Sequence, residues 1–138
     1  MTQAQKLVLT AGILTAVALT SSAVMLTHGK PCSNSPVAIL AAPGGRQKAV
    51  VFERGCGSKG ARTGRMVSLL PTDAKFPADG EVGNVFRLDT VAARAGTIDV
   101  AAAWESESVL VIRHRADAPV TYAVLRDRGV RIRYDTLP

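Results

Sequence analysis

The pattern of apolar and polar positions divides the chain into one long uncharged segment and a later region of short apolar runs. Residues 7–27 contain no charged side chain. As a helix they would be about 30 Å long, which matches the hydrocarbon core of a bilayer. The pattern therefore predicts a short N-terminal segment, residues 1–6, followed by a single transmembrane anchor.

A cleaved signal sequence is the alternative interpretation of the same segment. Lys6 precedes the apolar run, and Ser21, Ser22 and Ala23 form a small-x-small cleavage site. Apolar residues continue through positions 24–26, beyond that site, which favours the uncleaved anchor. Both interpretations export the rest of the chain.

Short apolar runs separated by turn residues predict strands from residue 37 onward. Residues 28–36 contain two prolines and are interpreted as a linker, so that residues 37–138 form one β domain. We expect about eight strands in a small antiparallel sandwich or a curled meander, and one helical turn at 90–95. The expected strands are 37–41, 47–54, 65–70, 84–89, 97–104, 109–114, 120–126 and 130–134.

The last two runs predict a hairpin around a three-residue turn, 127–129, with Gly129 in the left-handed conformation. Alternation then places Val124 opposite Ile132 and Tyr122 opposite Tyr134, on the side of the core. The other side is predicted to be an exposed basic edge that contacts an anionic partner. Its expected members are Arg126, Arg128, Arg131 and Arg133.

Cys32 and Cys56 are the two cysteines of the chain, and neither belongs to a C-x-x-C pair. In a small exported domain with almost no histidine, such a pair is typical of a structural disulfide rather than of metal ligands. We therefore expect a Cys32–Cys56 disulfide, which also supports an oxidising compartment outside the cytoplasm.

A glycine-rich basic loop lies between residues 54 and 65. It contains the pattern G-x-G-x-x-G, but a strand rather than a helix is expected next, which excludes a dinucleotide site. The glycines indicate a tight loop that needs positive φ angles. The chemistry left to the loop is capture of a phosphate or carboxylate by Lys59, Arg62 and Arg65.

No catalytic, metal or cofactor site is expected. His114 lies between two arginines, and no nucleophile-elbow motif accompanies it. Asp73, Asp79 and Glu81 lie in one loop, but their spacing departs from a calcium-binding loop. Trp104 is interpreted as a core anchor at a strand end. The sequence therefore predicts a protein that is not an enzyme.

Four short motifs carry a resemblance to a known family. They are Val51-Phe-Glu-Arg-Gly-Cys-Gly57, Val67-Ser-Leu-Leu-Pro71, Gly83-Asn-Val-Phe86, and Trp104 ahead of Leu110-Val-Ile112. With them, residues 43–113 resemble a family of small uncharacterised bacterial envelope proteins. The resemblance implies a bacterial source and an all-β exported domain, and it brings no known activity. The expected location is the bacterial inner membrane, single pass, with the domain in the periplasm; secretion after signal cleavage is the alternative.

The formal net charge is +6, from 17 basic and 11 acidic residues. Lys6 and Lys30 account for two of these charges, which leaves +4 on residues 31–138. An exported domain has no access to nucleic acid, whereas anionic lipid headgroups or an acidic protein surface are within its reach.

The favoured hypothesis is a membrane-anchored envelope protein whose β domain binds a protein or an anionic envelope component. One alternative is an accessory subunit of a membrane complex, held by the small-residue stripe Gly12, Ala16 and Thr20 in the anchor. The other is a small hydrolase that uses His114.

Overall fold

The computed structural model of the chain describes residues 32–57, 62–90 and 100–138, and every regular element in these ranges is a β-strand. No helix in them is long and apolar enough to cross a bilayer. The predicted anchor, the stretch 58–61 and residues 91–95 of the predicted helical turn lie outside the described ranges. The strands are β1 (Ser33–Ala41), β2 (Gln47–Cys56), β3 (Arg62–Pro71), β4 (Phe86–Thr90), β5 (Val100–Ser106), β6 (Val109–His114), β7 (Val120–Ala123), β8 (Arg126–Asp127) and β9 (Val130–Thr136).

The described strands form two sheets. Sheet A has the order β1-β2-β3-β4-β7, and all its neighbours are antiparallel. Sheet B has the order β5-β6-β9-β8, in which β6 and β9 run parallel. The predicted all-β fold with antiparallel sheets is confirmed for this part of the chain. The parallel pair was not predicted, because sequence alternation does not reveal which distant strands become neighbours.

The two sheets enclose the main core between them. Ala49, Val51 and Leu69 of sheet A are buried against Leu110 and Ile112 of sheet B. Full burial of one such aliphatic side chain is worth about 1.5–3 kcal/mol, so this layer is the main source of stability. The arrangement is a sandwich in which strand alternation sends every second side chain inward.

The centre of the outer face of sheet A is also buried, because the segment between β3 and β4 covers it. Val50, Phe52 and Met66 form a second, smaller cluster there, and Phe76 of the covering segment packs on it. The rings of Phe52 and Phe76 meet edge to face at 5.9 Å. This cover explains why the centre of β2 is apolar on both faces, and the predicted interior position of that strand is confirmed.

Asn34 and Arg54 hold the covering segment against the sheet. The Asn34 side-chain amide donates to the carbonyl oxygens of Ala78 at 2.8 Å and Glu81 at 2.9 Å. Arg54 donates to the carbonyl oxygens of Asp79 at 2.6 Å and Glu81 at 2.9 Å. Arg54 is therefore a structural anchor of this segment. The loop that contains Asp79 and Glu81 is held in place by hydrogen bonds to its backbone carbonyls.

The Gly83-Asn84-Val85-Phe86 motif brings the covering segment back into sheet A. The Asn84 side chain accepts from the Leu69 backbone N–H at 2.8 Å and donates to the Leu69 carbonyl at 2.9 Å, so an amide side chain takes the place of a strand neighbour beside β3. Val85 and Phe86 are fully buried. Gly83 passes so close to β3 that its backbone N–H donates to the Met66 sulfur at 3.2 Å. The motif thus returns the chain to sheet A, where β4 pairs with β3.

Trp104 joins the two sheets at one edge, as its predicted role of core anchor requires. Its indole N–H donates to the Leu40 carbonyl of β1 at 2.9 Å, and its ring packs against the main core. The hairpin that carries it, β5 to β6, is confirmed, with an irregularity between Trp104 and Ser106. Because it is the chain's single tryptophan, its fluorescence reports on the contact between the sheets.

The predicted disulfide is present between Cys32 and Cys56. Ser33 lies opposite Gly55 in the β1–β2 register, so the two cysteines occupy the next pair of opposed positions. β1 begins four residues earlier than predicted, at Ser33, and takes in residues 33–36 that the sequence assigned to a linker. The disulfide and the Asn34 anchor both lie in that extension.

The predicted hairpin between residues 120–126 and 130–134 is wrong. β7 joins sheet A beside β4, with Tyr122 opposite Arg87, so Tyr122 does not face Tyr134. The chain changes sheets after β7, where the Val124 backbone N–H donates to the Val85 carbonyl at 3.0 Å. The physical reason is that β4 and β9 each have a second edge with backbone groups to pair, which β7 and β8 supply. The continuous alternation of the sequence does not mark the residue at which the chain leaves one sheet for the other.

Of the predicted strand 120–126, only its end, in the two-residue strand β8, pairs with β9, and the register differs by one from the predicted one. Arg126 lies opposite Arg131 and Asp127 opposite Val130, around a two-residue turn rather than the predicted three-residue turn. Gly129 has the predicted positive φ, 75°, and Arg128 has φ 49°. Positive φ at both central residues is the type of turn that matches the twist of two-residue hairpins.

Tyr134 fixes the point at which the chain changes sheets. Its hydroxyl donates to the Val124 carbonyl at 2.6 Å and lies 3.3 Å from the Val85 carbonyl. Burial raises the pKa of Tyr134 to about 12, because desolvation penalises the phenolate, and the nearby Tyr122 acts in the same direction. Folding therefore favours the protonated phenol.

We expect the stability that Tyr134 contributes to be fully present below pH 10 and to be lost as the pH rises toward 12. The unfolded chain releases this proton near pH 10 while the folded domain retains it, so alkali favours unfolding. Urea unfolding of the full chain in neutral detergent, followed by Trp104 fluorescence, measures this. Tyr134→Phe should cost about 1 kcal/mol at pH 7, and its difference from the wild type should shrink above pH 10. A constant difference up to pH 12 would contradict the assignment.

Candidate functional site

The basic residues predicted to bind anions fall into two groups that the structure does not bring together. Arg62 and Arg65 belong to β3 of sheet A, whereas Arg126, Arg131 and Arg133 belong to sheet B. Arg128 lies in the turn between β8 and β9, where its carbonyl accepts a hydrogen bond from the Gln47 side chain at 3.2 Å. Lys59 lies outside the described residues.

The loop group is weaker as an anion site than its sequence indicates. Arg65 forms an ion pair with Glu53 at 3.0 Å, and its side chain is only 21% exposed. The pair lies directly across the β2–β3 ladder, so the charge of Arg65 is already balanced. Arg62 is exposed at the start of β3, opposite Cys56. The described part of this loop therefore offers a single unpaired guanidinium group.

Sheet B presents a concentration of arginines on the face that points away from the core, which we call the basic face. Ile132 points inward, so the residues on either side of it in β9 point outward. Arg113 joins them from the parallel neighbour β6, because Arg113 lies opposite Asp135 in the register. The basic face consists of Arg113, Arg126, Arg131 and Arg133, all exposed.

Arg126 and Arg131 are the closest pair on the basic face. The Leu125 carbonyl accepts from the Ile132 N–H at 2.9 Å, and the Arg131 N–H donates to Ser108 before β6 at 2.8 Å. Arg126 and Arg131 are therefore an opposed pair without mutual backbone hydrogen bonds, the kind in which the Cα atoms are about 4.5 Å apart and the side chains are closest. Like charges placed directly opposite each other are destabilising.

Arg133 differs from this pair because it has acidic partners. Its guanidinium group lies 3.3 Å from the Glu105 carboxylate and 3.7 Å from that of Asp135. All three side chains are about half exposed, so these ion pairs add little stability. Among the described residues, Arg113, Arg126 and Arg131 have no acidic side chain within ion-pair distance. The unpaired positive charge of the face is thus found at the start of β9, where Arg126 lies opposite Arg131, and separately at Arg113 near the other end of that strand.

Small apolar side chains lie between the arginines in the middle of the basic face. Val111 points outward opposite Arg133 and Ala103, yet it is only 5% exposed. Long arginine stems lie over such small side chains while their charged ends stay in water. The face therefore presents guanidinium groups above small apolar side chains of the sheet, an arrangement suited to contact with another surface.

His114 is placed for packing. It lies on the inner side of β6, where its ring stacks on Phe86 at 5.6 Å between centroids. Its Nδ1 lies 2.8 Å from the Arg115 carbonyl oxygen. Arg113 points to the opposite face, as alternation predicts. In the described ranges, no three histidine, cysteine or acidic side chains are grouped as metal ligands would be.

The sequence missed two features of this site. Arg113 is not among the predicted members of the basic edge, because nothing in the sequence reveals that β9 pairs with β6 in parallel. The opposition of Arg126 to Arg131 depends on a turn of two residues instead of three. The signal for it was available: Arg128-Gly129 with glycine second resembles the residue pairs that favour two-residue turns.

Comparison with protein-family models, with curated proteins and with solved structures gives no match for this chain.

Proposed function

We propose that the protein is a non-enzymatic, membrane-anchored component of a bacterial envelope, whose β domain lies outside the cytoplasm and binds an anionic envelope component through the basic face. The uncharged segment 7–27 supports the anchor, with secretion after signal cleavage as the alternative. The Cys32–Cys56 disulfide is compatible with an oxidising compartment.

The observation that carries the binding role is the opposed pair Arg126 and Arg131. A sheet that exposes two arginines side by side without acidic partners bears a repulsion that an anion would relieve. The centre of the outward face of sheet A is covered by the chain itself, and the exposed side chain at its β1 edge, Ile39, is apolar, so the basic face is the better candidate for an anion. The role therefore belongs to sheet B rather than to the glycine-rich loop.

The hydrolase alternative gains no support from His114, since its described contacts are with an aromatic ring and a backbone carbonyl. The accessory-subunit alternative depends on the stripe Gly12, Ala16 and Thr20, which lies outside the described residues. It shares the anchor with the favoured function but requires no ligand on the basic face.

We expect Arg126→Thr/Arg131→Thr to weaken association with a polyanion about tenfold, since each exposed charge contributes about 0.7 kcal/mol. The probes are fluorescent polyphosphate and fluorescent poly-glutamate, and anisotropy is measured with the full chain in neutral detergent micelles. The wild-type affinity should fall as salt is added. Folding should be unharmed, because the substitution removes like charges from an exposed hairpin and threonine suits a strand.

The matched control is Arg46→Thr/Lys75→Thr, which removes two exposed charges outside the basic face. It should retain wild-type affinity within about twofold. Equal weakening in both variants would mean that net charge alone acts. If the arginines served only to discourage edge pairing, the first variant would aggregate without losing affinity. Either result would refute the proposed function.

A further inference from the structure

We infer that the anionic component is the phosphodiester headgroup layer of an anionic phospholipid bilayer, and that the domain rests on it through one edge of the basic face. This inference depends on the proposed function and adds the chemistry of the partner. The edge, which we call the hairpin edge, consists of Leu125, Arg126, Arg128 and Arg131.

The arrangement of the guanidinium groups favours phosphate over carboxylate. On the same face one guanidinium, that of Arg133, already reaches two carboxylates, Glu105 and Asp135. A carboxylate has two oxygens and is matched by a single guanidinium fork. Arg126 and Arg131 present two forks side by side, which a tetrahedral phosphate group or two adjacent headgroups can satisfy. Every basic residue of this edge is arginine, the side chain suited to planar, bidentate recognition of phosphate.

Leu125 favours a bilayer over a soluble phosphate. It is 73% exposed, the largest value among the large apolar side chains of the described residues, and it directly precedes Arg126 in the chain. Leu125 and the arginines share an edge of sheet B, because β8 is its last strand and the Ile132 N–H donates to the Leu125 carbonyl. An edge that exposes both apolar and cationic side chains has the composition of surfaces that lie at the boundary between headgroups and acyl chains. Binding of a soluble phosphate would not bury the exposed Leu125 side chain.

The acidic side chains near the hairpin edge do not oppose this orientation. Asp127 is the one acid within β8, and it lies opposite Val130, which points inward. Glu105 and Asp135 lie within ion-pair distance of Arg133, and Glu107, in the turn between β5 and β6, directs its carboxylate toward Gly44. The hairpin edge therefore keeps a local excess of positive charge on its solvent-exposed side.

The test follows the Gly129 amide signal by NMR in the full chain, held in neutral detergent micelles. Short-chain phosphatidylglycerol added to these micelles should shift the signal, added salt should reverse the shift, and phosphatidylcholine should leave it in place. Arg126→Thr/Arg131→Thr should weaken the response about thirty-fold, since an arginine near an anionic membrane surface contributes about 1 kcal/mol. Leu125→Ser should weaken the response to phosphatidylglycerol about fivefold, from loss of part of one buried apolar side chain.

Two further probes separate the sources of the anion. If inorganic phosphate produces the same shift and Leu125→Ser leaves it unchanged, the site takes a soluble phosphate and the bilayer inference is overturned. If only poly-glutamate acts, the partner is an acidic polypeptide, so that the inference is overturned while the proposed function stands. If none of the probes shifts the signal, both are overturned.

Discussion

Replacing Gly83 with alanine is expected to destabilise the domain by about 3 kcal/mol, the upper end of what forced overpacking usually costs. An added methyl group would meet the Phe86 carbonyl oxygen at a distance no real Cβ tolerates, and it would lie 2.9 Å from the Met66 Cβ and 3.0 Å from the Val67 carbonyl oxygen. Backbone surrounds it, so no flexible side chain can move aside. Relief requires the covering segment to withdraw from β3, which would uncover Phe52 and weaken the ladder that Asn84 continues.

The measurement is urea unfolding of the full chain in neutral detergent, followed by Trp104 fluorescence. In a thermal unfolding experiment, a loss of about 3 kcal/mol corresponds to a fall of roughly 15 °C in the midpoint temperature for a domain of this size. Gly80→Ala is the matched control in the same segment, because its added methyl group meets nothing within 4 Å. It should leave stability within about 0.5 kcal/mol of the wild type or raise it slightly. Equal effects of the two substitutions would show that the close approach at Gly83 is not a constraint.

The Gly83 environment illustrates what the sequence could predict and what it could not. A run that is apolar on both faces, such as the centre of β2, predicts an interior strand, and this prediction is confirmed. It does not say what covers the second face. The cover depends on Asn34 and Arg54 reaching carbonyls between 25 and 47 residues away in the chain. Such contacts leave no periodic signal, because each involves one side chain and an arbitrary backbone oxygen.

The end of the chain shows the opposite limitation. Regular alternation from residue 120 to residue 134 predicts one hairpin, and the structure instead divides it between two sheets at Val124. Alternation records which side chains are buried, and it remains unbroken when a strand changes partners. The exposure of Arg131 and Arg133 was therefore predicted correctly from a wrong pairing, since either arrangement turns Ile132 inward.

For the candidate site, the sequence predicted the types of residue better than their grouping. Arg131 and Arg126 could be assigned to one hairpin, but their direct opposition depends on the length of the turn. The neutralisation of Arg65 by Glu53 depends on the β2–β3 register, which places residues 53 and 65 opposite each other. Charge patterns in a sequence thus overestimate anion sites until the cross-strand partner of each arginine is known.

Removing the disulfide is the second large effect that we expect. Cys32→Ala/Cys56→Ala should lower the free energy of unfolding by about 3 kcal/mol, because the bond closes a loop with a sequence separation of 24 and its loss restores the entropy of the unfolded chain. The damage should begin locally. Asn34 lies two residues from Cys32 and anchors the covering segment at Ala78 and Glu81, so fraying of the start of β1 also releases that segment.

Urea unfolding gives the overall loss, and hydrogen exchange gives its location. The Asn34 amide, which donates to the Asp79 carboxylate at 2.9 Å, and the Glu81 amide, which donates to the Ala78 carbonyl at 2.8 Å, should exchange faster in the variant, while amides of β6 and β9 should change least. Reductant provides the control: it should destabilise the wild type by the same amount and leave the double variant unaffected. If the variant is as stable as the oxidised wild type, the extension of β1 is held by Asn34 and its hydrogen bonds, and the disulfide is dispensable for the fold.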